Sequence, residues 1–257
     1  NDDHRSQRSV GGNMSYCVAL QLQNGLVFMS DTLTNAGVDN ISHYQKIHNW
    51  AKPNERQIFL LTAGNLATSQ SVVSLLSEEV ADDTGENIMD IPSMFQAAKL
   101  VARTLRQTIS EMEGEGQEAS SKFDVTMILG GQIAGGDMRL FLIYPEGNFI
   151  EVSQEQPFFQ IGETKYGKPI LVRAYDKTMS YEEAIKLLMV SFDSTIKANL
   201  SVGLPLDICI YEKDSYAVSY SERINVDNQY FRKLSDLWGS RLKEAVLDLP
   251  NFSLTNE

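Results

Sequence analysis

The stretch SYCVALQL at residues 15–22 alternates between the two sides of an extended chain and predicts a strand. Gln23-Asn24-Gly25 follows it, and an Asn-Gly step between two apolar runs is a strong hairpin signal. The return strand is GLVFMSD, ending at Asp31. A polar loop, TLTNAGVDNISHY, is expected next, then the strand QKIHNW, the turn AKPNER and the strand QIFLLTAG.

The period then changes. In NLATSQSVVSLLSEEV, Leu66, Val72, Val73, Leu75, Leu76 and Val80 fit one helical face, with Asn65 placed to cap it. A second helix is expected after Ile91-Pro92, with Pro92 in its first turn and Phe95, Ala98, Val101, Ala102, Leu105 and Ile109 on its buried stripe. Beyond the solvated loop EGEGQEASS, strands resume as FDVTMILGG, MRLFLIYPEG, NFIEVS and PFFQIG. SYEEAIKLLMVSFDSTIKA reads as a helix opened by a Ser180–Glu183 capping box. A hairpin of PLDICIYEKD and SYAVSYSE, then an amphipathic helix near NQYFRKLSDLWGSRLKEAV, complete the pattern.

Runs of strands separated by runs of helices indicate an α+β fold with mainly antiparallel sheets. About ten strands are too many for one ordinary sheet, so two stacked sheets between helices, a four-layer αββα sandwich, are expected. The division expected is a leader over 1–14, expression-derived or a pro-segment, one domain over 15–250 and a flexible tail over 251–257.

Composition removes several functions. A net charge of −12 argues against nucleic acid or an anionic membrane as partner. No apolar run is long enough to span a bilayer, and NDDHRSQRSVGGNM lacks the apolar core of a signal peptide. With that, Cys17 and Cys209 in apolar stretches read as small buried hydrophobes of a cytoplasmic protein. His4, His43 and His48 have no metal-like spacing with them, so neither metal nor other cofactor is expected.

G-x-S-x-G, P-loop, H-E-x-x-H and C-x-x-C motifs are missing, and three histidines make a Ser-His-Asp triad a poor expectation. One chemistry needs no histidine: a Ser or Thr at the chain's start uses its own α-amine as general base. That amine has a pKa of about 8, which a neighbouring lysine lowers. The scheme requires a strand opening with Ser or Thr, a carboxylate and lysine beside it, and N–H donors for an oxyanion.

MSYCVALQLQNGLVFMSDTLTNAGVDNISHYQKIH, followed by FLLTAGNLATSQ, FDVTMILGG and ANLSVGLPLDICIY, resembles Anbu, the bacterial relative of proteasome β subunits. The resemblance runs over residues 14–247. It implies that Ser15 is the nucleophile, that Asp31 and Lys46 (on the next strand) are its partners, and that Gly64 lends its N–H to the oxyanion hole. Taken singly these are a strand-edge serine, a turn aspartate, a solvated lysine and a strand-ending glycine. Ser15 and Asp31 at the two ends of one hairpin lie side by side. The supporting aspartate and serine that follow the third helix of proteasome subunits correspond to Asn199 and Ser201, with Asp193 and Ser194 a turn or two earlier; the carboxylate is replaced by an amide.

The resemblance implies a proteasome-type peptidase of peptides or unfolded polypeptides, inactive until residues up to Met14 are removed. It also implies a homo-oligomeric ring or open split ring, with any unfolding motor or activator a separate protein. The amphipathic third and last helices and Trp238 suit either subunit contacts or core packing. An amidase or acylase of small amides, or a silent assembly subunit, is the alternative.

Overall fold

The computed structural model of the chain describes residues 15–35, 41–82, 86–113 and 123–254; the expected leader at 1–14 lies outside them. The elements run β1 (Tyr16–Gln21), β2 (Gly25–Asp31), β3 (Leu33–Asn35), β4 (Ile41–His43), β5 (Ile47–Lys52), β6 (Arg56–Gly64), α1 (Leu66–Asp82) and α2 (Met94–Glu113). They continue with β7 (Val125–Ile133), β8 (Arg139–Ile143), β9 (Phe149–Glu151), β10 (Phe158–Gly162), α3 (Lys168–Ala174), α4 (Tyr181–Ala198), β11 (Leu206–Glu212), β12 (Tyr220–Ile224) and α5 (Gln229–Asp248).

Two five-stranded antiparallel sheets form, ordered β10-β1-β2-β11-β12 and β5-β6-β7-β8-β9. Successive side chains of a strand point to opposite faces, and here both faces are buried. Tyr16, Val18 and Leu20 of β1 pack among α3 and α4, while Cys17 and Ala19 face the other sheet. Ile58 and Leu60 of β6 meet α1 and α2, while Phe59, Leu61 and Ala63 face β1 and β2. Burial on both faces explains why these strands read as nearly continuous apolar runs. Three apolar layers therefore separate four structural ones, and the αββα sandwich is the observed architecture. Phe28 of β2 and Phe59 of β6 stack across the middle layer with centroids 4.7 Å apart, an aromatic contact worth about 1 kcal/mol beyond the area it buries.

Among the helices that were expected, the starts follow the sequence except at α2. Ser180 and Glu183 make the reciprocal capping box of α4, and Asn65 Oδ1 accepts from Thr68 N at 3.0 Å to cap α1. Pro92, in contrast, stands ahead of α2, in whose first turn Gln96 N donates to Ser93 Oγ at 3.3 Å. Phe95 is exposed rather than on the buried stripe, and its ring meets Phe149 edge-on.

Other departures concern short elements. The expected polar loop after Asp31 contains a small ladder of β3 with β4, Leu33 opposite His43. The helix α3, between β10 and α4, was not expected; Pro169 in its first turn supplies the starting φ. The last strand of the closing hairpin begins at Tyr220, later than the expected SYAVSYSE, because Glu212–Ser219 folds into a hydrogen-bonded turn. Among the described residues no helix is long and apolar enough to cross a membrane.

Candidate active site

The side chains that the resemblance singles out gather where corresponding ends of the two sheets meet. Ser15 directly precedes β1, and Asp31 ends β2 one step beyond the Cys17–Ser30 pair. This register lets Tyr16 N donate to Asp31 Oδ1 at 2.9 Å. Lys46 is not on β5, as expected, but immediately before it; its carbonyl accepts from Thr62 N at 3.1 Å, which fastens it to β6. From there Lys46 Nζ reaches across the sheets to Asp31 Oδ1 at 2.7 Å and to the carbonyl of Leu33 at 2.6 Å. Gly64 closes β6 and turns the chain into α1.

Asp31 is fully buried and Lys46 nearly so. Burial pushes the Asp31 carboxyl up from its ordinary value, and the Lys46 ammonium with the Tyr16 and Leu33 N–H groups pulls it back. Asp31 Oδ2 is enclosed without a hydrogen bond among the described residues. Buried pairs of this kind are weak contributors to stability, but breaking one is expensive.

Ser15, Lys46, Thr62, Ala63 and Gly64 line one cleft of about 240 Å³, together with residues of β3 (Thr34), β5 (His48) and the first turn of α1 (Ser69). The N-terminus of α1 is therefore at the cleft wall, where its dipole favours developing negative charge. Gly64 has φ +128°, and a Cβ there would collide with the carbonyl oxygen of Asp124, so only glycine suits the position. Cys17, next to Ser15, is buried, and burial pushes its thiol well up, leaving it a neutral, inert group.

Asn199 and Ser201 reach this end of β1 indirectly, and neither lines the cleft. Asn199 ends α4, accepts from Ser201 N and Oγ at 3.0 and 2.7 Å, and donates through Nδ2 to Glu163 Oε2 at 3.0 Å. Glu163 N in turn donates to the Ser15 carbonyl at 2.7 Å. Asp193 pairs with Lys197 on its own helix at 3.2 Å instead. The sequence reading missed Glu163, whose neighbours in GETKYG carry no periodic signal. Among the described residues no group of three or more His, Cys, Asp or Glu side chains is disposed to hold a metal ion.

A four-layer sandwich whose first strand opens at a serine, with a buried lysine–aspartate pair at that strand's mouth, defines the proteasome-type class of N-terminal-nucleophile folds. The Proteasome subunit family profile matches residues 14–211. A proteasome subunit beta of Haloquadratum walsbyi is 22% identical over 209 residues, covering 80% of this chain and 76% of that protein. Anbu (ancestral beta-subunit) from Yersinia bercovieri is 45% identical, with a TM-score of 0.87 over 93% of this chain and 100% of that one. A solved helical assembly of the Anbu complex from Pseudomonas aeruginosa is 41% identical, TM-score 0.86, over 93% of this chain and 98% of that one. The chain belongs to the proteasome subunit family, on its Anbu branch.

Proposed function

We propose that this protein is a peptidase subunit whose nucleophile is Ser15, with its own freed α-amine as the general base. One observation carries the proposal: the buried Lys46–Asp31 pair, 2.7 Å between charged atoms, beside a cleft that Ser15 and Gly64 share. The reaction follows from the parts. The amine takes the Oγ proton as Oγ attacks a substrate carbonyl carbon, and the tetrahedral oxyanion takes the N–H of Gly64. Collapse breaks the amide C–N bond, the ammonium returns its proton to the leaving nitrogen, and an acyl ester remains on Oγ. A water, deprotonated by the same amine, then releases the acid. The nearby Lys46 ammonium disfavours a second positive charge and keeps the amine unprotonated at working pH.

This chemistry requires that the Met14–Ser15 bond be cut, since an amide nitrogen is no base. The assembly proposed is homo-oligomeric, acting on peptides or unfolded polypeptide; the helical assembly of the P. aeruginosa relative supports it. The test is to prepare the protein with Ser15 as first residue, verified by intact mass, and to assay peptide and small-amide substrates beside Ser15→Ala. Peptide hydrolysis abolished in the variant is the expected result. Turnover of small amides alone would point to an amidase, and a protein without Ser15-dependent turnover or covalent trapping to a silent subunit.

A further inference from the structure

The pairing of Ser15 with Glu163 is built closely. The β1–β10 ladder ends at Tyr16 opposite Gly162, and the next step of the same register sets Ser15 opposite Glu163, joined by the 2.7 Å bond from Glu163 N to the Ser15 carbonyl. Thr164 N bonds to the Gly162 carbonyl at 3.0 Å, so the chain turns at Glu163 as it leaves the ladder beside Ser15. Gly162 has φ +81°, and a Cβ on it would collide with the Ser15 carbonyl, so β10 approaches this residue as only glycine permits.

Glu163 is 8% exposed. Among the described residues no lysine, arginine or histidine forms an ion pair with it; its side-chain partner is the amide of Asn199. That amide is fixed in orientation, because its oxygen takes both the N–H and the hydroxyl of Ser201. A buried carboxylate lacking a cation is costly. The backbone N–H of Glu163 holds the carbonyl of the one residue that acquires a cation when the Met14–Ser15 bond is cut.

We infer that Glu163, oriented by Asn199 and Ser201, is the positioning residue that receives the α-ammonium of Ser15. The inference rests on the reading of Ser15 as an N-terminal nucleophile. Asp31 already holds the Lys46 ammonium and Tyr16 N on Oδ1, so its charge is matched by a cation, whereas among the described residues that of Glu163 is not. The amine then lies between opposing influences, Lys46 lowering its proton affinity and Glu163 raising it. Glu163 takes no part in the transfer: the proton passes from Ser15 Oγ to the amine and on to the leaving nitrogen.

The test uses the full assembly with Ser15 first, and reads the amine as well as the activity. The rate at which acetic anhydride modifies the Ser15 amine, followed by peptide mapping across pH, gives the amine's pKa without catalysis. In Glu163→Gln that pKa falls by about one unit, and the acid limb of kcat/KM moves to lower pH with it, while the plateau drops about tenfold. Glu163→Gln combined with Asn199→Asp returns a carboxylate to the spot and restores the limb. A merely structural role would lower the plateau and leave the limb in place. Where Glu163→Gln does not fold, Asn199→Ala, which loosens the carboxylate, shifts the amine in the same direction by less. An amine pKa unchanged in the folded variant overturns the inference. Wild-type protein without Ser15-dependent turnover would sink the reading of Ser15 instead, and the acetylation profile would still decide the role of Glu163.

Discussion

Nothing larger than a hydrogen fits between Gly64 and the carbonyl oxygen of Asp124. The two strands β6 and β7 close on each other there, Gly64 pairing with Val125, and the φ of +128° at Gly64 directs the chain into α1. Gly64→Ala should therefore strain the backbone by about 1–3 kcal/mol and displace the N–H proposed for the oxyanion. Loss of one such donor lowers kcat by about 100-fold or more. Peptide hydrolysis and thermal unfolding of the variant check both effects; a wild-type rate would remove Gly64 from the oxyanion hole.

The Lys46–Asp31 pair separates stability from chemistry. Asp31→Ala leaves the Lys46 ammonium buried without its partner, at a cost of about 3–5 kcal/mol. Replacing both, Asp31→Asn with Lys46→Met, should recover most of that stability and yet stay inactive. Urea unfolding beside peptide hydrolysis gives the comparison. If the double variant is as unstable as Asp31→Ala, the coupling between the two side chains is not what holds them.

His48 makes a pH prediction. Burial holds its imidazole below its ordinary value of 6.5, so the folded protein takes up this proton less readily than the unfolded chain. The stability it permits is complete above pH 6.5 and declines as pH falls from there toward the folded value. His48→Gln should flatten this part of the stability–pH curve, measured by denaturant unfolding at several pH values. An unchanged slope would show that another group sets it.

Serine at the nucleophile position leaves χ1 freer than threonine would, because it lacks the second substituent on Cβ. Ser15→Thr should hydrolyse peptides at least as fast as the parent once its amine is free. A lower rate would show that rotamer freedom is not limiting.

The proposed assembly has a surface to account for. On α5 only Phe231 and Leu234 are buried, whereas Leu237, Leu242, Val246 and Leu247 are exposed apolar residues. Exposed apolar side chains of this kind suit a neighbouring copy. Light scattering should report a mass many times the 28.8 kDa of one chain, and Val246→Asp with Leu247→Asp should lower it. A monomer from the unaltered chain would contradict the assembly.

The fold was legible wherever one strong local signal sat beside another. Asn24-Gly25 between two apolar runs gave the β1–β2 hairpin, and Ser180 with Glu183 gave the start of α4. α3 was not legible because one short helical stretch around Pro169 carries too few periods to register. The β3–β4 ladder hides in a polar segment for the same reason. In the site, Ser15, Asp31, Lys46 and Gly64 were named by likeness to a family; the structure brings Lys46 to Asp31 and sets Ser15, Lys46 and Gly64 around one cleft. Glu163 escaped because its position depends on β10 pairing with β1, a contact between distant parts of the chain that no local pattern encodes.

The central claim is that the base is the amine of Ser15 itself. Two preparations of the chain beginning at Ser15, one with that amine free and one with it acetylated, differ at this nitrogen alone. The free form should cleave a peptide substrate, and the acetylated form, its hydroxyl intact, should show no turnover above a Ser15→Ala control. Equal turnover by the two would mean that some other group takes the proton.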